Sequence, residues 1–331
     1  MNKVIVSIVC TNYNKGDWLR MAIDSFLAQK TSFEFEIILI DDKSTDHSVD
    51  IMKEYAAKYP GKIRALFNSK NLGITKTWKK VCKEVSGKYI ARCDGDDYWI
   101  DNLKLQKQVD LLDASEDARW CSTDYAVIDT VGKVLQTNAI ESGAYSRPTS
   151  YEEMLATKGM TMASTWLVDT KLMLEVNEEL DSQAVDDTFN IQLDLFRKTK
   201  LAYLPDATVV YRFNEGSDSK PLDIEAAQKR DERLLETQIE YLEKYKEVDY
   251  QDIIEKLLRR SSVSDDRLRL IKRQRTLIED QERLLKEKDV LIIAKEKQIQ
   301  DILNSSKYKL GKVLTAPVSV IKKFSTGKKR K

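Results

Sequence analysis

Three carboxylates, Asp94, Asp96 and Asp97, close the apolar run in "GKYIARCDGDDYW" (87–99). Acidic residues are poor strand formers and neighbouring carboxylates repel, so something must compensate them. Carboxylates at i and i+2 on a loop can aim at one point, which is how a hard divalent cation is held. Mg²⁺ takes one or two carboxylates and completes its shell with phosphate oxygens and water. No G-x-G-x-x-G and no G-x-x-x-x-G-K-[ST] loop is present to cradle phosphates with backbone N–H groups. A metal is then the remaining obvious means, and the expected ligand is a nucleotide whose diphosphate leaves. The single histidine, His47 in "STDHS", argues against a His-rich zinc site and leaves Ser-His-Asp or Cys-His catalysis only that one residue. It reads as exposed and structural.

These acids need a frame, and the first hundred residues supply one by α/β alternation. Strands are expected at 3–11, 35–42, 62–68 and 88–94. Between them lie three helices. The first carries Leu19, Ala22, Ile23, Phe26 and Leu27 behind an Asp17 cap. The second presents Val49, Met52, Ala56 and Tyr59 on one face, and the third Ile74, Trp78, Val81 and Val85. Strands joined by helices imply a parallel sheet covered on both faces. Each strand ends in polar residues: Thr11 to Asn14, Asp41 and Asp42, Asn68 to Asn71, and Asp94 to Asp97. In an open α/β sheet ligands bind at that edge, so one ligand would account for all four. Further on, a helix is expected at 101–113 and a strand at 119–129.

The stretches "VSIVCTNYN", "EIILIDDKSTD", "NLG" and "GKYIARCDGDD", in this order and spacing, resemble family 2 glycosyltransferases of the GT-A (Rossmann-like) α/β fold. The resemblance covers about residues 1–220. It implies a nucleotide-diphosphate sugar donor, a Mg²⁺ or Mn²⁺ cofactor and inversion at the anomeric carbon. By position, Thr11 and Tyr13 would line the nucleotide base and Asp42 would accept its imide N–H. Asn71 would join them on the donor, Asp94 would meet ribose or sugar, and Asp96, with Asp94, would ligate the metal. In "AVDDTFNIQLDLFRK" the family's acidic pair becomes Asp186-Asp187, with Asp187 as general base. "VVYRFNEGSDS" resembles the loop that closes over the diphosphate, with Arg212 and Ser217 on phosphate and Asn214 near a position where many members carry histidine. Trp99, Trp166 and Tyr98 are candidates for stacking on an acceptor sugar, although "MASTWLV" suits a core tryptophan equally. "ITKTWKK" and "RCDGDDYW" look most like rhamnosyltransferases of bacterial wall polysaccharides, which points to a dTDP-rhamnose or UDP-sugar donor and a polyprenyl-linked acceptor. A nucleotidyltransferase would carry a Gly-rich, Arg-containing loop after the first strand, and "CTNYNKGDW" is not one. The other rival, a coiled-coil scaffold with a degenerate transferase domain, sits poorly with intact Asp96 and Asp187.

From Ile224 to Leu303 Gly and Pro are absent, so a long helical region (221–304) should follow the catalytic domain. Leu270, Leu277, Leu284 and Leu291 recur every seven residues, as do Ile271, Ile278, Leu285, Ile292 and Ile299 one position later. That stripe suits a coiled coil and hence a homo-oligomer. The overall charge of +1 conceals an asymmetry: 305–331 holds nine Lys or Arg and no acid, while 1–304 holds 46 basic against 54 acidic groups. Apolar residues interleave the tail's lysines, which fits an anionic membrane surface better than nucleic acid, for which no reader motif appears. With no leader, no run of the ~20 apolar residues that span a bilayer, and four scattered cysteines, the expected location is the cytoplasm, at the inner face of the membrane.

Overall fold

The computed structural model describes residues 3–159, 161–182, 184, 186–214 and 222–305, with backbone alone for 260–276. The first half alternates as expected. Strands β1 (Val4–Asn12), β2 (Glu34–Asp41), β3 (Ile63–Phe67) and β4 (Tyr89–Asp94) are separated by helices α1 (Gly16–Leu27), α2 (Ser48–Lys58) and α3 (Ile74–Val81). A two-residue strand β5 (Tyr98–Trp99), α4 (Lys104–Asp113), β6 (Ala118–Ile128) and β7 (Val134–Gln136) follow. Next come α5 (Tyr151–Thr157), a 3-10 turn (Ala163–Thr165), β8 (Leu167–Asp169), α6 (Thr170–Glu179), α7 (Asp187–Lys198) and β9 (Lys200–Arg212). Two helices end the order, α8 (Ile224–Lys244) and α9 (Tyr250–Asn304).

The sheet runs β3-β2-β1-β4-β8-β6-β9-β5, with β7 beside β6. The first four strands are parallel, as expected of them; β8 runs antiparallel to β4 and to β6, while β6 and β9 pair parallel. Period-two alternation sorts the strand side chains onto two faces. Val6, Ile8 and Cys10 of β1 and Ile37 and Leu39 of β2 pack with α1, α2 and α4. Val9, Ile38, Ile40 and Ile90 pack with α3, α6 and α7. A third cluster joins Tyr151 and Met154 of α5 and Phe189 and Leu193 of α7 to Leu234 and Tyr241 of α8. That cluster carries the compact unit to Arg259, beyond the expected boundary at 220, because α8 buries its apolar stripe against α5 and α7. In the second unit, Leu277, Ile278, Leu284, Leu285, Leu291 and Ile292 are exposed along α9, while Leu270 and Ile271 fall where only backbone is described.

Local differences have local causes. Asp17 lies in the first turn of α1 and does not cap it; the N–H of Gly16 is taken by Asp46 at 2.8 Å. The buried face of α2 is Ser48, Ile51, Met52 and Tyr55, rotated from the expected one, and Ile74 of α3 is exposed while Thr77 and Trp78 are buried. His47 stands at the N-terminus of α2 with its ring largely exposed.

Gly87 brings β4 into place beside β1. Its N–H donates to Ser7 Oγ at 2.9 Å, and a Cβ there would lie 2.6 Å from the backbone nitrogen of Ser7 and 2.8 Å from the carbonyl carbon of Val6. Backbone cannot swing away as a side chain can. Gly87→Ala should therefore cost about 1–3 kcal/mol, read as a lower denaturant midpoint. An unchanged midpoint would show that the strands can part at no cost.

Candidate active site

A cleft of about 690 Å³ opens at the carboxyl ends of the parallel strands and is lined by Thr11, Tyr13, Asp42, Asn71, Asp94 and Asp96, with Asp187 and Arg212 among the residues that complete it. Strand register gathers the first of these: Thr11 pairs with Asp94 and Asn12 with Asp41. Thr11 Oγ1 donates to Asp94 Oδ1 at 2.6 Å. Asp41 serves the frame, accepting from Asn12 Nδ2 at 2.9 Å and from the N–H of Ser44 at 2.8 Å. This brace ties together the loops after β1 and β2, where Asn14 and Lys43 adopt positive φ.

Asp42 faces the cleft. Its Oδ1 accepts from Asn68 Nδ2 and the N–H of Leu72, and Oδ2 from the N–H of Gly73, each at 2.8 Å. The N–H of Gly73 also reaches Asn71 Oδ1 at 3.0 Å. Gly73 has φ +83°, a backbone state that favours glycine, and this lets the loop fold back onto Asp42. Tyr13 is half exposed at the rim.

The acids after β4 each have a different compensation. Lys15 Nζ lies 2.6 Å from Asp96 Oδ2. Asp97 is buried and accepts from Ser164 Oγ at 2.5 Å and from the N–H of Arg212 at 3.0 Å. Burial, then Asp96 and Asp94, pushes the Asp97 carboxyl well above its ordinary range. Asp97 is thus a brace for β9. Arg212 Nε donates to the carbonyl of Asp96 at 3.1 Å, and its guanidinium lies 5.2 Å from the ring of Trp18.

Across the cleft, Asp186 caps α7, accepting from the N–H of Phe189 at 3.2 Å and from Thr188 Oγ1 at 2.5 Å. Its Oδ2 also meets Arg230 Nη2 of α8 at 2.5 Å. Asp187, the first residue of α7, is 2% exposed and receives Arg92 Nη1 at 2.8 Å. Burial raises its carboxyl pKa; Arg92 opposes the rise, and Asp186 and Asp94 add to it. A buried carboxylate whose pKa is raised is a better proton acceptor than an ordinary exposed one.

The two tryptophans proposed for the acceptor lie in the core. Trp99 packs on Phe26 at 4.8 Å under the ammonium of Lys104 at 4.2 Å, and its Nε1 donates to the carbonyl of Ser164. Trp166 is fully buried edge-on to Trp120 and bonded to Thr161. Buried rings offer no face to a sugar, so acceptor stacking is not their work. Tyr98 is not part of the lining. Ser217 lies outside the described residues; Asn214 lines the cleft. Sequence reasoning passed over Lys15, Arg92 and Arg230. A lone arginine inside "YIARC" is a signal for the second, whereas Arg230 sits on a charged helix and has none.

Asp94 and Asp96 fit a hard divalent cation by donor type. Among the described residues no group of three His, Cys, Asp or Glu could hold a metal, so further positions would fall to diphosphate and water. Lys15 already sits on Asp96, and this ammonium would have to yield.

Residues 7–168 match the family model described as "Glycosyl transferase family 2". Among curated proteins, the uncharacterized protein Rv1520 of Mycobacterium tuberculosis is 43% identical over 123 residues, 37% of this chain and 36% of the relative. EpsE of Bacillus subtilis, provisionally named a glycosyltransferase, is 35% identical over 127 residues, 38% of this chain and 45% of the relative. The match thus spans well under two thirds of either relative. Among solved structures, S. aureus TarS 1-349 in complex with UDP-GlcNAc aligns with TM-score 0.51 at 16% identity, covering 70% of this chain and 66% of that one. GalNAc-T7 with UDP, GalNAc and Mn²⁺ aligns with TM-score 0.52 at 17% identity, covering 64% and 44%. At such identities these structures speak for the fold. Residues 7–168, from β1 into β8, thus resemble the glycosyl transferase family 2 model, and the chain has a GT-A-like α/β fold.

Proposed function

We propose that the chain is an inverting glycosyltransferase that moves a sugar from a nucleoside-diphosphate donor to an acceptor hydroxyl. The reading is carried by one arrangement: Asp94, the last residue of β4, and Asp96 just beyond it face, across a single cleft, the buried Asp187 that opens α7. Thr11, Tyr13, Asp42 and Asn71 form the nucleotide side. Asp96 and Asp94 would hold Mg²⁺ or Mn²⁺, whose charge offsets that of the diphosphate. Asp187 takes the proton from the acceptor hydroxyl, whose oxygen forms the new bond to the anomeric carbon as the bond to the diphosphate oxygen breaks on the opposite face. One displacement inverts the centre. Lys15 and Arg212 place positive charge along the edge where negative charge develops. UDP-GlcNAc in the TarS complex and UDP, GalNAc and Mn²⁺ in GalNAc-T7 support a nucleotide-sugar donor and a divalent ion. The finer reading, a rhamnosyl donor and a polyprenyl-linked acceptor in bacterial wall or capsule synthesis, rests on the sequence resemblance. A homo-oligomer through the exposed stripe of α9, and peripheral contact with the cytoplasmic face of the membrane, belong to the same proposal. No helix among the described residues is long and apolar enough to cross a membrane.

Asp187→Asn should retain donor binding and lower turnover by at least about 10²-fold. In the unmodified enzyme Asp187 must be deprotonated to act, and its raised pKa places the acid limb of the rate above the ordinary carboxylate value of about 3.9. Below that limb the group holds its proton and the rate falls. Near-normal turnover in the variant would move the base elsewhere, Asp186 first.

Chelation with EDTA, or Asp96→Ala, should lower transfer by about 10²-fold or more, with the thermal midpoint of the folded chain little changed. Full activity in chelator would remove the two-carboxylate metal site from the mechanism.

The basic segment 305–331 falls outside the described residues from 306 onward. Its nine cations contribute at most about 1 kcal/mol each near an anionic surface, less after screening, and its apolar side chains add burial that salt does not weaken. Deleting 305–331 should release the protein from anionic vesicles in flotation while transfer to a soluble acceptor analogue persists. Continued flotation of the shortened chain would place the membrane contact elsewhere.

A further inference from the structure

Arg92 lies in β4 on the face covered by α3 and α7, with its side chain 1% exposed. Its guanidinium stacks on Trp78 at 4.6 Å and uses Nη1 for Asp187 at 2.8 Å. Nε is 3.7 Å from Asp94 Oδ1, beyond hydrogen-bond range, and neither Nε nor Nη2 has a partner. Arg92 nevertheless lines the cleft. An unpaired donor on a buried cation is costly, so native sites seldom carry one unless a ligand or water completes it.

The flanking groups restrict what that ligand can be. The guanidinium stands between two carboxylates, Asp94 on the donor side and Asp187 on the acceptor side. A phosphate or carboxylate brought to the free N–H groups would meet like charge on both sides. A hydroxyl meets none: its oxygen accepts from Arg92 and its O–H donates to Asp94, the carboxylate on the donor side. Neighbouring hydroxyls on a pyranose ring present this alternation of acceptor and donor. We propose that Arg92, flanked by Asp94 and Asp187, reads hydroxyls of the transferred sugar and selects an uncharged sugar over a uronic acid at this point of the cleft. The inference rests on the transferase reading and adds to it a residue and a substrate class.

The test is calorimetric titration of the full chain with Mn²⁺ against UDP, dTDP and GDP and their conjugates UDP-GlcNAc, UDP-glucose, UDP-glucuronic acid, dTDP-rhamnose and GDP-mannose. The unmodified chain should bind one neutral conjugate more tightly than its bare diphosphate, and UDP-glucuronic acid no more tightly than UDP. Arg92→Met should erase about ten-fold of that sugar increment and leave diphosphate affinity unchanged. Arg92→Lys keeps the charge for folding but loses the planar fork, and it should erase the increment too. Equal weakening of diphosphate and conjugate would make Arg92 a phosphate contact and overturn the inference. An unchanged increment in a folded variant would leave Arg92 only a support for Asp187 and overturn it as well. If the unmodified chain binds no conjugate better than its diphosphate, the transferase reading falls and this inference with it.

Discussion

Negative charge crowded at one sheet edge has to be balanced on the spot, and much of this structure follows from how that is done. The parallel register of β1, β2 and β4 delivers carboxylates to neighbouring strand ends. Left alone they would repel one another and lose much of their solvation. Instead each meets its own compensation: Asp41 the Ser44 turn, Asp42 the backbone of Leu72 and Gly73, Asp96 an ammonium, Asp97 a hydroxyl and the backbone of β9, Asp187 a guanidinium. The compensating groups come from six different parts of the chain. Pairing the acids therefore also ties the loops into one rim.

This division of labour explains what could be read in advance. Strand positions were legible because β-branched runs ending in acid are a strong local pattern, and the expected spans fall within a residue or so of β1 to β4. The cleft was legible for the same reason, since polar residues at four strand ends must share an edge. What a carboxylate does there was not. Asp41 and Asp42 are adjacent and chemically identical in sequence, yet one braces a turn and the other faces the cleft, a choice made by the pleat. Trp99 and Trp166 show the opposite failure. An aromatic residue near a site reads equally as a stacking face or as core, and here the burial around Phe26 and Trp120 decides.

The two halves of the cleft also differ in origin. The match to family 2 ends at residue 168, whereas Asp186, Asp187, Arg212 and Arg230 all follow it. The later side is assembled from α7, β9 and α8 through long-range contacts, of which the pairing of Arg230 with Asp186 is the plainest. Such contacts leave no short motif. A helix that looks like a solvated charged rod in sequence thus supplies a wall of the site.

The cysteines carry a consequence of a different kind. Cys10 and Cys93 are register partners on β1 and β4, directly beneath the strand ends that hold Thr11 and Asp94, and all four thiols are free and buried. Burial raises the pKa of each, so the thiolate, the form that reacts with oxidants and electrophiles, is scarcely populated at neutral pH. Sulfur in this position acts as a small hydrocarbon. The floor of the cleft is accordingly inert toward peroxide, disulfides and alkylating reagents for as long as the sheet stays folded. Thiol labelling would therefore report unfolding of that sheet, with no background from the folded chain.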